Sequence, residues 1–359
     1  MIAVRYSPDV EVAEPEEAET TAALIAAMQS ISATTFKDEG KAIRSVHAKS
    51  HALLDAELTV LGGLSPELAQ GLFAVPGTYT VHLRISTSPG DLMDDHVSTP
   101  RGLAIKVHGV PGAQLSGSAA DTTQDFLLVE GQAFAAATPK AFLGTVKLLA
   151  STTDKAEGLK RAFSATARGI ESLLEAVGSK SGMLIALGGH KLTNPLGESF
   201  YSQAPIRYGD FIAKVAVVPV GALAALTDAP VDLDGKPNGL REAIGACFAE
   251  GGGEWEVRVQ LCTDLATMPV EDASVAWPED ASPYVTVARL VAPSQPSWSL
   301  DQVAAIDTGL AFSPWHGLVA HQPLGGIMRA RKPVYEALQG ERSTRSGCPF
   351  HEGMARAAG

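Results

Sequence analysis

The sequence predicts an α+β fold, a single large domain of β-strands with helices inserted between them and at both ends. Stretches with strand character occur in two blocks, and a long helical stretch at residues 138–178 separates the blocks. Neither an internal repeat nor a low-complexity linker divides the 359 residues. We therefore take residues 1–359 as one domain, with an N-terminal arm and helix at 1–36 and a flexible tail at 343–359.

The first helix is predicted at residues 15–35. Pro15 suits the first turn of a helix, and the acidic residues around it suit the helix dipole. Leu24, Met28 and Ile31 then recur on one face. Strands are predicted where β-branched and apolar residues form short runs bounded by turn residues, at 79–86, 102–107, 125–130, 211–218, 254–261 and 284–290.

Composition excludes several classes of partner and compartment. The formal net charge of -12, without a long Lys/Arg run, disfavours a nucleic-acid surface or an anionic membrane as partner. The three cysteines are widely spaced and include no CxxC pair, which fits a reducing compartment. The acidic N-terminus does not resemble a signal peptide, and we find no apolar run of about 18 residues that would span a membrane. A soluble, cytoplasmic protein acting on a small molecule is expected.

The stretch from Arg329 to Arg342 carries the most informative spacing. If it is helical, Arg331, Tyr335 and Arg342 lie on one face, and two guanidiniums flank one phenol. A neighbouring arginine and a trivalent metal both favour the phenolate, and tyrosinate is one of the axial ligands that proteins give to haem iron. A surface helix with a half-buried tyrosine explains the same spacing. Pro333 also predicts that the helix begins near residue 332.

Two further stretches contain residues suited to chemistry. His47 and His51 are four residues apart, which could place two metal ligands on one helical face, but no third ligand is evident. Arg84 and Ser86 share one face of an alternating strand, where Arg84 by itself is expected to be a solvent-exposed charge.

Together these stretches resemble the haem catalases over residues 40 to 345, and four groups of motifs follow the order of that family. They are Arg44-Ser45-Val46-His47-Ala48-Lys49, Arg84-Ile85-Ser86 with Pro100-Arg101-Gly102, Tyr201-Ser202-Gln203-Ala204-Pro205 with Lys214, and Phe312-Ser313-Pro314 with Arg331, Tyr335 and Arg342. The resemblance implies an antiparallel β-barrel that encloses haem b.

The resemblance also implies a role for individual residues. Tyr335 would be the axial iron ligand, and Arg331 the cation that keeps it as phenolate. His47 would be the distal acid/base, and Ser86 the hydroxyl that orients its ring. The propionate carboxylates would pair with Arg44, Arg84 and Arg342, while Val46 and Phe134 would contact the porphyrin.

Two departures from the family refine the expected activity. Where the family has an asparagine beside the distal histidine, this sequence is expected to place Thr122, which becomes the third candidate catalytic residue. The chain is also short, so it is more similar to the small catalase-related peroxidases and the allene oxide synthases. The expected function is haem-dependent reduction of organic hydroperoxides, with disproportionation of hydrogen peroxide as a second activity to be tested. A fatty-acid hydroperoxide isomerase or dehydratase and a non-catalytic haem-binding protein are the alternatives, and homo-oligomerisation stays open.

Overall fold

The computed structural model describes residues 2–88, 90–115, 122–152 and 190–346. Nine strands make up its sheet: β1 (Ser50–Val60), β2 (Gly77–Thr87), β3 (Arg101–His108), β4 (Thr123–Glu130), β5 (Phe200–Tyr201), β6 (Ile206–Tyr208), β7 (Phe211–Pro219), β8 (Gly253–Leu261) and β9 (Val285–Ala292).

The strands form a closed antiparallel barrel. Their order is β5-β4-β3-β2-β1-β9-β8-β7, and the barrel closes where β7 pairs back with β5, while β6 extends β7. The closure runs through the two-residue strand β5, which pairs with Val129 and Glu130 of β4 and with Ala216 and Val217 of β7. The predicted α+β class is therefore confirmed.

All six predicted strands are present, and their ends lie within two residues of the predicted ones. Strand β1 was missed by the sequence analysis because its alanine, leucine and glutamate residues favour helix. In the structure, the polar residues of β1 alternate with buried ones, so Asp55, Glu57 and Thr59 face solvent while Ala56 and Leu58 enter the barrel.

Helices cover one side of the barrel and connect its strands. The α-helices are α1 (Glu17–Glu39), α2 (Pro139–Thr152), α3 (Gly239–Glu250), α4 (Leu300–Gln302), which continues as a π-helical segment (Val303–Thr308), and α5 (Gly326–Ser346). Single 3-10 turns occur at Pro8–Val10, Gly71–Phe73, Pro195–Gly197, Ala224–Leu226 and Val319–His321. None of the helices in the described ranges has the length and apolarity that a membrane span requires.

Helix α1 begins and ends later than predicted, and Gly40 terminates it in the left-handed conformation with φ of 64°. The first piece of the predicted helical stretch at 138–178 is α2, and the remainder lies outside the described residues. Helix α5 continues through residues 343–346, which we had assigned to the tail; Cys348 and the residues beyond it are not described.

The predicted start of the last helix near residue 332 is wrong. Helix α5 begins at Gly326 and runs through Pro333. A proline inside a helix costs about 3 kcal/mol, because it lacks the N–H that would bond the carbonyl four residues earlier. Packing on both sides of the proline offsets this cost, since Ala330 and Val334 are buried against Leu24 and Met28 of α1.

The two faces of strands β2 to β4 have different environments. Their inward residues, such as Leu83, Leu103 and Leu128, join the barrel core. The residues between them point outwards, towards the π-helical segment and the helices α1, α2 and α5. The space between this outer barrel face and these helices contains the main cavity of the described residues.

Candidate functional site

The main cavity has a volume of about 1270 Å³, and it is lined from two sides. Strands β2, β3 and β4 contribute Arg84, Ser86 and Gly102, among others, and the preceding loop contributes His47. Helix α5 contributes Tyr335 from the other side. We call the strand side, with His47, the distal side and the α5 side, with Tyr335, the proximal side.

The proximal side is built from two residues one helical turn apart. Arg331 Nη2 donates a hydrogen bond to the Tyr335 hydroxyl oxygen at 2.9 Å, and the Arg331 guanidinium carbon lies 5.3 Å from the centroid of the Tyr335 ring. A cation that donates to a phenolic oxygen stabilises the phenolate form. The helical geometry considered for this stretch is therefore present, although Pro333 lies between the two residues.

The first turn of α5 is held by carboxylates. The backbone N–H of Gly326 donates to Glu271 at 2.8 Å, at the helix end where the dipole favours negative charge. Arg329, two residues before Arg331, forms ion pairs of 2.8 to 3.0 Å with Glu11, Glu17 and Glu271. These carboxylates raise the pKa of Arg329, so its charge and its contacts persist at any physiological pH. The N-terminal arm thereby fixes the start of the helix that presents Tyr335.

The distal side holds His47 in an unusual backbone conformation. Its φ of 53° lies in the left-handed region, which costs a non-glycine residue about 1 kcal/mol or more. Two backbone hydrogen bonds stabilise it: the N–H of His47 donates to the Ser88 carbonyl at 2.8 Å, and its carbonyl accepts from Arg84 Nη2 at 2.7 Å. The His47 ring is aligned by Ser86, whose Oγ lies 3.2 Å from Nδ1.

The ring of His47 packs directly on the backbone of β3. A methyl group on Gly102 would lie 2.5 Å from the His47 Cε1 atom, which is closer than carbon atoms can approach. Only glycine leaves room for the ring at this position. Burial, together with the positive charges of Arg84, Arg331 and Arg44, lowers the pKa of His47 to about 3, so its imidazole is neutral at pH 7.

Three arginines and one aspartate form a charged cluster beside His47. Arg44 and Arg84 both bind the Asp307 carboxylate, with Arg84 Nε at 2.8 Å, and Ser50 Oγ donates to its second oxygen at 2.8 Å. Arg342 is 8% exposed and interacts electrostatically with Asp307. The structure thus brings together the three arginines that we had assigned to the propionates. Arg84, expected on periodicity alone to face solvent, is 2% exposed.

The assignment of Thr122 is wrong. Thr122 is exposed, and its carbonyl accepts from Val110 N at the far end of β3 and β4. In the register of these strands, Val129 lies opposite Gly102. Thr122 is therefore seven residues, or about 23 Å, along the strand from the position next to His47. The outward side chains that β4 presents to the cavity there are the apolar Leu127 and Val129.

Of the remaining predicted residues, Val46 and Phe134 lie at the cavity, whereas His51 does not line it. Val46 and Phe134 line the cavity, and the Phe134 ring centroid is 4.9 Å from that of Phe142. His51 does not share a helical face with His47, because it lies in β1, where it is fully buried and contacts the Thr87 hydroxyl at 3.1 Å.

Sequence reasoning missed two residues of the site. Gly102 could have been found, because a glycine inside a predicted strand often marks a close approach of another group. Asp307 gave no such signal. It is one acidic residue in a segment of mixed polarity, and only the fold brings it to arginines more than 200 residues earlier in the chain.

A second polar cluster also lines the cavity. Ligand atoms of Glu130, His190 and Glu198 lie within 4.8 Å of one another, which is a spacing that suits a metal ion. The guanidinium of Arg101, however, contacts His190 and lies 3.8 Å from Glu198. Burial, more than the neighbouring Glu130 carboxylate, raises the pKa of Glu198 to about 7. The charge of Arg101 and the proton that Glu198 can hold offset the charges of the two carboxylates. We therefore interpret the cluster as an ion-pair network rather than a metal site.

Comparison with solved structures identifies the architecture. A fungal catalase superimposes with a TM-score of 0.60 at 16% identity, over 87% of this chain and 61% of the catalase. This is the catalase fold. Catalase A from Saccharomyces cerevisiae gives a TM-score of 0.58 at 15% identity, over 89% and 66% of the two chains. For a bacterial catalase the TM-score is 0.59 at 14% identity, over 88% and 62%.

The chain thus spans a little over three fifths of the length of these catalases. No protein-family model matches the sequence, and no curated protein matches it. At this level of identity the structural likeness establishes the fold, and the function has to be inferred from the residues of the site.

The donor set and charges of the catalase-fold cavity fit a haem. A phenol beside a guanidinium and a neutral histidine both line the cavity, together with many apolar side chains. The arginine cluster supplies fork-shaped donors for carboxylates. Leu24, Met28 and Phe142 would pack against the apolar part of the porphyrin.

Proposed function

We propose that the protein binds haem b through Tyr335 and reduces organic hydroperoxides as a peroxidase. The observation that carries the proposal is that one cavity is lined both by an arginine-bound tyrosine and by a serine-oriented neutral histidine. Either pair alone is common in proteins. Both together, on the two sides of a cavity in a catalase fold, match what a haem with a tyrosinate axial ligand and a distal base requires.

When bound, haem iron supplies the electrophilic centre and the electrons for cleavage of a peroxide bond. The protein supplies proton transfer and positioning. Because Nδ1 of His47 contacts the Ser86 hydroxyl, Nε2 is the nitrogen left to face the substrate. The neutral imidazole takes the proton from the hydroperoxide. Its conjugate acid then returns the proton to the departing oxygen.

Organic hydroperoxides are favoured over hydrogen peroxide by the side chains around His47. Leu127 and Val129 line the cavity next to the ring, and they offer no hydrogen bond to a second peroxide oxygen. An apolar group attached to the peroxide would bury against these side chains. The distal side of the cavity is therefore better suited to an alkyl hydroperoxide than to hydrogen peroxide.

The test is turnover by the haem-loaded protein. With cumene hydroperoxide and a reducing dye, we expect dye oxidation that is faster than oxygen release from hydrogen peroxide at the same concentration. Oxygen release as the faster reaction would instead establish a catalase. Loss of a fatty-acid hydroperoxide without dye oxidation, with a rearranged product, would establish the isomerase. Haem binding without any of these reactions would leave the protein a haem binder and contradict the proposed activity.

A further inference from the structure

The second polar cluster at the cavity wall is a connected network of side chains. Arg101, which is 0% exposed, contacts one ring nitrogen of His190, and the other ring nitrogen, Nε2, lies 2.7 Å from Glu130 Oε2. Glu198 accepts a hydrogen bond from the Thr193 hydroxyl at 2.7 Å. The two glutamates are thus each held by a further side chain, and both line the cavity.

One proton is held between the two carboxyl groups. Burial raises the pKa of Glu198, and Glu130 raises it further, by its charge and by a hydrogen bond between the two side chains. Because an ionised carboxylate can only accept, two carboxyl groups form a hydrogen bond only when one of them is protonated. Arg101 Nε lies 3.8 Å from Glu198 Oε1, and neither Nε nor Nη2 makes a hydrogen bond within the described part of the chain. These donors can close on Glu198 when the shared proton leaves.

The carboxyl pair lies close to the row of residues on which His47 packs. In the strand register, Gly102 of β3, which the His47 ring contacts, lies opposite Val129 of β4, and Val129 lies opposite Tyr201 of β5. Neighbouring strands are about 4.8 Å apart, so the backbone of Tyr201 is about 10 Å from that of Gly102. Glu130 follows Val129 directly in the chain. The pair is therefore near enough to the distal side to serve the same reaction.

The Tyr201 ring gives this part of the cavity an aromatic wall. It lines the cavity and contacts Tyr284 edge to face, with ring centroids 5.7 Å apart and an interplanar angle of 63°. Such a contact holds the ring in place. An aromatic ligand bound beside Tyr201 buries apolar surface, and a hydroxyl group on that ligand finds two carboxyl groups as hydrogen-bond partners in the same cavity. This part of the cavity thus fits a phenol.

We propose that Glu130 and Glu198 form the site at which a phenolic reductant gives up its proton. The inference rests on the proposed haem function and adds to it the class of reductant and the place where it is bound. When a phenol loses an electron to the haem, its O–H bond breaks and the proton passes to the carboxyl pair. The pair releases its shared proton to the oxygen atom of the hydroperoxide that leaves as water. Two phenols thus supply the two electrons and two protons that convert one hydroperoxide into an alcohol and water, and each phenol leaves as a phenoxyl radical.

A proton-accepting role differs measurably from a purely structural one. Guaiacol, a phenol, must lose a proton when it is oxidised, whereas N,N,N′,N′-tetramethyl-p-phenylenediamine gives up an electron alone. Damage to the fold slows the oxidation of both reductants, but loss of the proton acceptor slows that of guaiacol only. The quantity to measure is therefore kcat/KM for guaiacol divided by kcat/KM for the diamine, for the haem-loaded protein with saturating cumene hydroperoxide at pH 7.

Glu198→Gln keeps the shape of the side chain and an oxygen for the Thr193 hydroxyl, but it cannot take up a proton. Its ratio should fall by about tenfold or more relative to wild type. Asp228→Asn is the matched control, because it removes another carboxylate from the cavity lining at a φ of 56° that asparagine tolerates, and its ratio should stay within twofold of wild type. An unchanged ratio in Glu198→Gln, or an equal fall in Asp228→Asn, overturns the inference.

The shared proton has a signature that does not depend on turnover. The infrared difference spectrum of wild type minus Glu198→Gln at pH 6 should contain the carbonyl stretch of a protonated carboxyl group, and this band should shift in D2O. The same difference taken with Asp228→Asn should lack the band. If wild type minus Glu198→Gln shows no such band, the pair does not hold the proton that the site requires.

A second variant keeps the test decisive if Glu198→Gln does not fold. Glu130→Gln removes the other carboxyl group of the pair, and the ratio should fall by a similar factor. A wild-type ratio in Glu130→Gln contradicts the inference. If wild type oxidises neither reductant, the proposed haem function fails, and this outcome is distinct from oxidation of both reductants with a ratio that neither glutamate affects.

Discussion

The proximal and distal sides of the cavity are assembled in different ways. The proximal pair, Arg331 and Tyr335, lies on one helix, four residues apart, and local helical geometry is enough to bring the two together. The distal side brings His47 from a loop, Ser86 from β2 and Gly102 from β3. Because the proximal side offers the anionic ligand and the distal side offers the base, we expect substitutions on the proximal side to affect retention of the cofactor and substitutions on the distal side to affect the reaction.

The largest effect is expected at Tyr335. Tyr335→Phe removes the phenolic oxygen that Arg331 binds, so no anionic ligand is left on the proximal side, and haem should be lost on gel filtration. The Soret absorbance per chain measures retention. Tyr201→Phe, at another tyrosine lining the cavity, is the matched control and should retain haem. Equal retention by Tyr335→Phe and wild type would show that the ligand is assigned wrongly.

His47 should show the opposite behaviour. His47→Ala removes the base but none of the proximal contacts, so haem should stay bound while hydroperoxide cleavage slows by about 10²-fold or more, the usual size of an acid/base contribution. Stopped-flow absorbance after mixing with cumene hydroperoxide measures the rate. A wild-type rate in this variant would remove His47 from the mechanism.

Gly102 tests how tightly the distal ring is positioned. In Gly102→Ala the new methyl group would clash with His47 Cε1, so the ring must shift, and we expect cleavage to slow by about tenfold with haem retained. Gly144→Ala in α2 is the control, because no atom lies within 4 Å of its added methyl group and alanine favours the helix. If both variants react at the wild-type rate, the contact with Gly102 does not constrain the ring.

An effect of a different kind, on stability in acid, is expected at a histidine outside the cavity. His321 is 1% exposed and accepts a hydrogen bond from the Leu72 N–H at 2.9 Å, and burial lowers its pKa to about 4. Because the unfolded chain binds this proton below about pH 6.5, the free energy of unfolding should fall as the pH is lowered from 6.5 to 4, by up to about 3 kcal/mol from this residue.

Urea unfolding of the apo-protein at pH 7, 5.5 and 4.5 measures this dependence. The variant His321→Gln cannot take up the proton, so its stability should decline less steeply with falling pH than that of wild type. Parallel declines in the two proteins would show that folding does not lower the pKa of His321.

The same contrast explains what could be predicted from the sequence. The local spacing of Arg331 and Tyr335 predicted that they share one helical face, and the family resemblance assigned their roles. The helix start predicted from Pro333 was wrong, because the packing of Ala330 and Val334 that offsets the cost of the proline is not visible in a sequence. Six strands were predicted from short apolar runs. Strand β1 was not, because its residues favour helix and only pairing with β2 and β9 overrides that preference.

On the distal side the errors concern relations between strands. Thr122 was placed beside His47 by counting along one motif, whereas the pairing register of β3 with β4 decides which residue lies opposite Gly102. Asp307 was missed because its partners Arg44 and Arg84 are distant in sequence. Residues on one element could be predicted, and residues that meet across elements required the fold.

The central claim, that Tyr335 is the anionic ligand of a haem in this cavity, is tested most directly by resonance Raman spectroscopy of the ferric, haem-loaded protein. Excitation into the transition between phenolate and iron should enhance tyrosinate ring vibrations, and these bands should be absent from any haem-containing Tyr335→Phe protein. A haem-loaded wild type that shows no tyrosinate bands would contradict the account.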